Sequence, residues 1–300
     1  MLVFISWMHR FEDYFREGGC AMRVAMAQTA IKFEDKEYNR AKALEMFEKA
    51  QGNADFIIFP EMCLTGFSMH TERIGERPDN YETLEFFRQC AVKYKIAVCF
   101  GMVRLVDGKA YNSAVIIDKD GNASDFYDKI HPFSGGREGQ FYTGGDHVIA
   151  VKIGKLNVSP FICYDLRLPE PFQAASEKCE FLVVIGNWPY IRQDFIAPLL
   201  RARAIENQSY TCFVNTTGFD GKILYGGGSV AFTPLGEKVI EAGEEEGLYI
   251  FQLDENKPRV FRGDFNMKAD RRNDVYVRLL SEIKPVKKVP WQADVFEFNE

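Results

Sequence analysis

Short apolar runs alternate with amphipathic stretches along most of this 300-residue chain. The apolar runs are rich in β-branched and aromatic residues and end near Gly, Pro, Asn or Asp, which is typical of buried strands. Such runs cover residues 23–29, 54–59, 96–106, 110–118, 123–127, 148–153, 156–162, 181–185, 211–216, 226–233 and 247–253. Helical spacing covers residues 35–51, 81–94 and 195–207, and a further helix is expected after residue 165.

The order of these elements indicates the fold class. Strands and helices alternate throughout, and several neighbouring strands are joined by short turns, of which Asp107-Gly108 predicts a tight hairpin. This order favours an α/β fold with a mixed sheet over an all-parallel one. The Gly-rich stretch 131–147 lacks periodicity, so we expect a long loop that carries function.

The chain shows no linker rich in Gly, Ser or Pro, which predicts one main domain over residues 22–280. Residues 1–21 are expected to be an N-terminal extension. A docking helix is the alternative there, because apolar side chains recur at roughly helical spacing. Residues 281–300 are expected to be a C-terminal tail that packs on this subunit or on a second one.

Composition and charge narrow the choice of partners. A net charge of −6 argues against a nucleic-acid or anionic-membrane partner, since either requires clustered Lys and Arg. Apolar runs are all too short for a membrane span, and residues 2–8 are too short for a signal core. Seven cysteines without a CxxC pair or zinc-ligand spacing predict free thiols in the cytoplasm, with neither a metal nor a cofactor.

Three chemically different side chains follow the ends of predicted strands, namely Glu61, Lys129 and Cys163. Ligands of α/β proteins gather outside strand ends, so these side chains can converge on one pocket. Taken singly, a capping carboxylate, a surface lysine and a core thiol are the plainer interpretations. Together they supply the base, the cation for an oxyanion and the nucleophile that attack on an amide requires.

Cys163 is expected on a tight turn between a strand and a helix. Asp165 can cap the start of that helix, and helix-terminal N–H groups beside the sulfur favour the reactive thiolate. A small, buried and unreactive thiol is the alternative for any single cysteine.

Longer motifs extend from residue 22 to residue 280. They are FPEMCLTGF at 59–67, YDKIHPF at 127–133, ICYDLRLPE at 162–170, GNWP at 186–189, RARAIENQSY at 201–210, GGGSVAFTPLGE at 226–237 and DRRNDVY at 270–276. In order and spacing the chain resembles the nitrilase, or carbon–nitrogen hydrolase, superfamily. The resemblance implies a four-layer α-β-β-α sandwich that forms homodimers, or higher homo-oligomers, through its outer helices.

The same resemblance implies roles for particular residues. A Glu-Lys-Cys triad would be Glu61, Lys129 and Cys163, and the second glutamate of the family would be Glu138. The backbone N–H of Tyr164 would join Lys129 in binding the oxyanion. His131 is expected to be a structural hydrogen-bonding group rather than a base.

Within the superfamily, CYDLRLPE, GNWP with an arginine soon after it, and RARAIENQSY are most similar to ω-amidase-type members. Those enzymes hydrolyse the terminal amide of short 2-oxo dicarboxylic acid monoamides such as 2-oxoglutaramate and 2-oxosuccinamate. The far carboxylate of such a substrate needs a cation, and the guanidinium fork of arginine matches its two oxygens. Arg192 is the preferred candidate, with Tyr190 beside it, whereas Arg167 could equally form a structural ion pair.

Phe67, Phe133 and Trp188 are expected to form the walls of the pocket. Other small aliphatic amidases, N-carbamoyl amine hydrolases and nitrilases share the triad, so their substrates remain alternatives. A catalytically silent member of the fold that acts as an interaction protein is disfavoured, because all three triad residues are present.

Overall fold

The structure is a computed structural model that describes residues 21–284. The expected extension and tail therefore lie outside the described residues, except for Ala21 and residues 281–284. The strands are β1 (Ala21–Gln28), β2 (Phe56–Ile58), β3 (Ala97–Val106), β4 (Lys109–Ile117), β5 (Tyr127–Asp128), β6 (Val151–Ile153), β7 (Leu156–Ile162), β8 (Phe181–Gly186), β9 (Tyr210–Asn215), β10 (Thr217–Phe219), β11 (Leu224–Gly226), β12 (Val230–Phe232), β13 (Lys238–Glu241) and β14 (Gly247–Asp254). The helices are α1 (Lys36–Ala50), α2 (Thr71–Ile74), α3 (Glu82–Tyr94), α4 (Glu170–Ser176), α5 (Ile196–Asn207), α6 (Lys257–Asp264) and α7 (Asn273–Ser281).

Two mixed sheets form the centre of the molecule. The first has the order β14-β1-β2-β3-β4-β5 and the second has the order β13-β12-β9-β8-β7-β6. In each sheet the central strands are parallel, and antiparallel strands are added on both sides. Asp107 and Gly108 join β3 to β4 with φ angles of 49° and 72°, as a two-residue hairpin turn with two left-handed positions requires.

The two sheets pack face to face, and helices cover their outer faces. Side chains of both sheets form one apolar cluster, in which the Phe56 and Phe181 ring centroids are 6.4 Å apart. α1 and α3 pack on the outer face of the first sheet around Phe47 and Phe87. α4 and α5 pack on the second sheet. The predicted α-β-β-α sandwich is thereby confirmed.

The buried face of α5 differs from the one that apolar spacing predicts. The apolar spacing predicts an inner face formed by Leu199, Leu200, Ala202 and Ile205. Of these, Leu200 is buried, but Ala202 and Ile205 are exposed. Arg203 and Asn207 take their places. Nη2 of Arg203 donates to the carbonyl oxygen of Leu166, and Nδ2 of Asn207 donates to that of Arg203, whereas Nε of Arg203 has no hydrogen-bond partner among the described residues. A hydrophobicity pattern cannot identify such buried polar positions, because it assigns them to the surface.

The expected strand 226–233 is also interrupted. β11 ends at Gly226 and β12 begins at Val230, and Gly227 and Gly228 between them have φ angles of 62° and 71°. A Cβ atom on Gly227 would lie 2.3 Å from Nε2 of Gln28, so this turn passes too close to β1 for a side chain.

In the described part of the chain, no helix combines the length and the apolarity that crossing a membrane requires. α2, α6 and α7 had no clear signal in the sequence. α7 buries none of its side chains, although Val277, Leu279 and Leu280 are apolar.

Candidate active site

Glu61, Lys129 and Cys163 meet where the two sheets end side by side. Glu61 lies just beyond β2, Lys129 directly follows β5, and Cys163 directly follows β7. Lys129 and Cys163 line a cavity of about 310 Å³, and Glu61 lies fully buried behind it. The predicted convergence of three strand ends therefore occurs, with two ends from one sheet and one from the other.

The Lys129 ammonium lies between two carboxylates. Its Nζ is 2.9 Å from Oε1 of Glu61 and 2.9 Å from Oε2 of Glu138. The side chains of all three residues are at most 1% exposed, so water barely screens these interactions. Glu138 is thus a partner of Lys129 within the protein, and it is not among the residues that line the cavity.

Asn187, in the turn after β8, fixes the other side of Glu61. Its backbone N–H donates to Oε2 of Glu61 over 2.9 Å, and its Nδ2 donates to the Glu61 carbonyl oxygen over 2.8 Å. One residue from the second sheet therefore holds both the backbone and the carboxylate of a residue from the first.

The charges in this cluster set the protonation of its members. Burial lowers the pKa of Lys129, but the carboxylates of Glu138 and Glu61 outweigh it and hold that pKa well above its ordinary value. Burial raises the pKa of Glu138, while Lys129 opposes that rise.

Cys163 differs from its prediction in two respects. It has a φ of 47° and begins a 3₁₀ helix, Cys163–Arg167, and the α-helix begins only at Glu170. Burial, followed by the charge of Glu61, raises the pKa of the Cys163 thiol well above its ordinary value, although Lys129 lowers it. The expected helix-stabilised thiolate is therefore wrong, and the geometry favours a neutral thiol at rest.

Asp165 does not cap the α-helix, which begins only at Glu170, but it caps the start of the 3₁₀ helix by accepting the N–H of Ile162. It also connects the two segments that carry Lys129 and Cys163. Its carboxylate accepts hydrogen bonds from the hydroxyl of Tyr127 at 2.8 Å, from the backbone N–H of His131 at 3.0 Å and from the N–H of Ile162 at 3.2 Å. The Nδ1 atom of His131 lies 2.9 Å from the same carboxylate. These contacts agree with the expectation that His131 is a structural hydrogen-bonding group.

The cavity walls carry the predicted aromatic and cationic residues. Phe67, Phe133, Trp188, Arg167 and Arg192 all line it, as does Tyr164 next to the thiol. The Arg167 guanidinium lies 5.0 Å from the centroid of the Trp188 ring, and that of Arg192 lies 4.7 Å from the centroid of Phe133.

Two neighbouring arginines in one small cavity favour an anionic ligand. Burial lowers the pKa of Arg192, and the charge of Arg167 lowers it further, while Cys163 opposes both. A bound carboxylate would compensate such a pair. Tyr190, by contrast, is half exposed and is not among the residues that line the cavity.

The structure adds residues that the sequence analysis missed. Asn112 and Asn187 contact Glu61, and Ile223 and Tyr225 of the β10–β11 hairpin line the cavity. The available signal for Asn112 was a polar residue just before the apolar end of β4. Among residues 21–284 no group of three or more His, Cys, Asp or Glu side chains is placed to hold a metal ion.

We predict that Asp165→Ala destabilises the protein by about 3 kcal/mol or more, because it leaves several buried donors without an acceptor. For a domain of this size that corresponds to a fall in Tm of about 6–12 °C, measurable by thermal denaturation. Asp146→Ala is the control, because the Asp146 side chain is 95% exposed and its Tm effect should be negligible. Equal Tm values for both variants would show that Asp165 does not join the two segments.

Comparison with known proteins identifies the family. The carbon–nitrogen hydrolase family model matches residues 23–262. Among curated relatives, a hydrolase in the agr operon of Staphylococcus aureus is 31% identical (85% of this chain, all of the relative), and an (R)-stereoselective amidase of Pseudomonas is 30% identical (84% and 92%). A 2-oxoglutaramate amidase of Bacillus subtilis is 28% identical (84% and 98%).

Among solved structures, a carbon–nitrogen hydrolase superfamily protein of Xanthomonas campestris, which has an arsenic adduct in its active site, superposes with a TM-score of 0.79. The two are 26% identical, and the match covers 84% of this chain and 98% of that one. The chain therefore belongs to the carbon–nitrogen hydrolase family, and it is a hydrolase that acts on carbon–nitrogen bonds in amides.

Proposed function

We propose that this protein is an ω-amidase that uses Cys163 to release ammonia from a short 2-oxo dicarboxylic acid monoamide, such as 2-oxoglutaramate or 2-oxosuccinamate. The observation that carries the proposal is one cavity of about 310 Å³ that is lined by a thiol, an ammonium and two guanidinium groups. A small substrate with an amide at one end and a carboxylate at the other fits this arrangement of charges.

In the first half of the reaction, Glu61 accepts the proton of the Cys163 thiol as the sulfur attacks the amide carbon. The carbonyl electron pair moves to oxygen, and the oxyanion is met by the Lys129 ammonium and the backbone N–H of Tyr164. Glu61 then passes its proton to the leaving nitrogen. Ammonia departs as the oxyanion collapses to a thioester.

In the second half, Glu61 deprotonates a water molecule that attacks the thioester carbon. The sulfur leaves, takes back a proton, and the carboxylic acid product is released. A thiol that is neutral at rest suits this cycle, because the buried base removes the proton only when substrate is in place. Glu138 contributes by keeping Lys129 charged through their contact of 2.9 Å.

Arg192 would bind the far carboxylate of the substrate, with Arg167 reinforcing the positive potential. The positions of their guanidinium groups against Phe133 and Trp188 limit the freedom of both side chains. The 2-oxoglutaramate amidase among the relatives supports an acidic amide, and the (R)-stereoselective amidase keeps another amide as the alternative.

We predict that Cys163→Ala abolishes ammonia release from every substrate. The assay is ammonia release from 2-oxoglutaramate, glutamine, short aliphatic amides, N-carbamoyl amines and nitriles, with the wild-type enzyme most active on the first. Cys90→Ala should keep wild-type activity, because Cys90 is a buried cysteine on α3 that packs in the core on the outer face of the first sheet. Amide hydrolysis by the Cys163→Ala variant would end the assignment of the nucleophile.

We predict that Arg192→Ala raises KM for 2-oxoglutaramate about tenfold or more, since a charge-assisted hydrogen bond to the substrate is lost. KM for a neutral amide of the same length should change little. Arg272→Ala, an exposed arginine on the surface, serves as the control for a general change in charge. Equal losses on the acidic and the neutral amide would remove Arg192 from the carboxylate-binding role.

We also propose a homodimer in the cytoplasm. The six cysteines from Cys63 to Cys212 are free thiols, which suits a reducing compartment. The exposed apolar residues of α7 lie beside a groove that α4 and α7 share, and a second copy could cover them.

We predict that light scattering gives about twice the chain mass of 34.4 kDa, and that Val277→Asp together with Leu280→Asp gives a monomer. Val92→Asp on α3, in the opposite outer layer, should leave the mass unchanged. A monomeric wild-type protein, or a dimer that survives the double substitution, would contradict an interface on α7.

A further inference from the structure

Asn112 is a buried polar residue in an apolar strand, next to the proposed triad. It lies on β4 on the same face as Ala114 and Ile116, which point into the core between the two sheets, and it is 1% exposed. Its backbone carbonyl accepts the N–H of Lys129 over 2.8 Å. Its side chain is therefore held at a fixed distance from the start of the Lys129 side chain.

The Asn112 amide donates to both carboxylates of the cluster. Nδ2 is 2.7 Å from Oε1 of Glu61 and 2.9 Å from Oε1 of Glu138. Its Oδ1 is buried and has no hydrogen-bond partner among the described residues. A buried acceptor left in this way opposes folding, so the orientation of the amide is set by the two carboxylates and not by its own oxygen.

The two carboxylates need this donor because they share only one cation. Like charges in one buried site favour uptake of a proton by one of them, and a protonated Glu61 cannot act as a base. The titratable groups that face the pair are Lys129 and Cys163, with the hydroxyls of Tyr142 and Tyr225 farther out. Lys129 is the one cation in that set, so the two N–H groups of Asn112 add to its stabilisation of the two carboxylates.

The two carboxylate oxygens of Glu61 have different hydrogen-bond partners. Oε1 accepts from Lys129 at 2.9 Å and from Asn112 at 2.7 Å, and both bonds come from strongly held donors. Oε2 accepts from the backbone N–H of Asn187 at 2.9 Å. A carboxylate oxygen offers about two lone-pair sites, which leaves Oε2 with room for the thiol proton.

We propose that Asn112 is a positioning residue that keeps Glu61 and Glu138 ionised together on one lysine and directs the base role to Oε2 of Glu61. The proposal rests on the triad roles given under the proposed function. It adds a residue that touches neither substrate nor sulfur and acts through the base alone.

The test measures the rate of Cys163 alkylation by iodoacetamide as a function of pH, by peptide mass, together with Tm. Asn112→Leu removes both donors while it keeps the branched shape of the side chain, and Asn112→Ser keeps one donor. Asn39→Leu is the matched control, because the buried Asn39 amide also donates both hydrogens, to the carbonyl oxygens of Lys32 and Leu64.

The acid limb is the fall in the alkylation rate toward low pH. For Asn112→Leu we expect this limb to move to a pH about one unit higher, so that below it the rate is about tenfold lower than that of the wild-type enzyme. At higher pH the rate should recover. The direction follows because a carboxylate that has lost donors holds its proton to a higher pH. Asn112→Ser should move the acid limb by a smaller amount. If the Asn112→Leu variant does not fold, the Asn112→Ser variant provides the measurement instead. Asn39→Leu should lower Tm without moving the limb.

An unmoved acid limb in both Asn112 variants, or a rate that falls by the same factor at every pH, would overturn the proposal. Alkylation requires no substrate, so these results are independent of which amide the enzyme hydrolyses. A failure of the triad itself would appear separately, as residual amidase activity in the Cys163→Ala variant.

Discussion

One buried ammonium, that of Lys129, holds two carboxylates that would otherwise repel each other. Its contacts with Glu61 and Glu138 are both 2.9 Å long, and all three side chains are shielded from solvent. In such a setting a charge must be paired or neutralised, so each of the three depends on the other two. Burial, followed by the charge of Glu61, raises the pKa of the neighbouring Cys163 thiol well above its ordinary value.

The fold supplies the constraints that keep this cluster together. Glu61 belongs to the first sheet but is held by Asn187 of the second, and Asp165 connects the Cys163 turn to the strand that leads to Lys129. Gly101 on β3 allows the segment of Glu61 to pass closely, since a Cβ there would lie 2.5 Å from the backbone nitrogen of Met62. The geometry of the site therefore depends on the packing of the two sheets. A shift between the sheets would separate the base from the nucleophile.

Much of this arrangement could be predicted from the sequence. Apolar runs with turn residues at their ends gave the strands, and the order of strands and helices gave a mixed α/β sandwich. Glu61, Lys129 and Cys163 were found because each follows a strand end, and chemistry at strand ends leaves a readable pattern.

The predictions that failed share a physical cause: they concern buried polar side chains whose partners lie far away in the sequence. Asn112 and Asn187 looked like ordinary strand and loop residues, and Asp165 looked like a helix cap, because their partners are known only after the sheets pack. Arg203 and Asn207 shifted the inner face of α5 for the same reason. The protonation of Cys163 was also misjudged, since a local helix terminus was expected to outweigh burial and the charge of Glu61.

The central claim is that Cys163 is a neutral thiol at rest, and that a buried carboxylate removes its proton only during the reaction. The most direct measurement is the ultraviolet absorbance of the thiolate at neutral pH, taken as the difference between the wild-type enzyme and its Cys163→Ala variant. The account predicts no thiolate absorbance in the free enzyme, together with full activity at the same pH. A clear thiolate absorbance that disappears with Cys163 would contradict it.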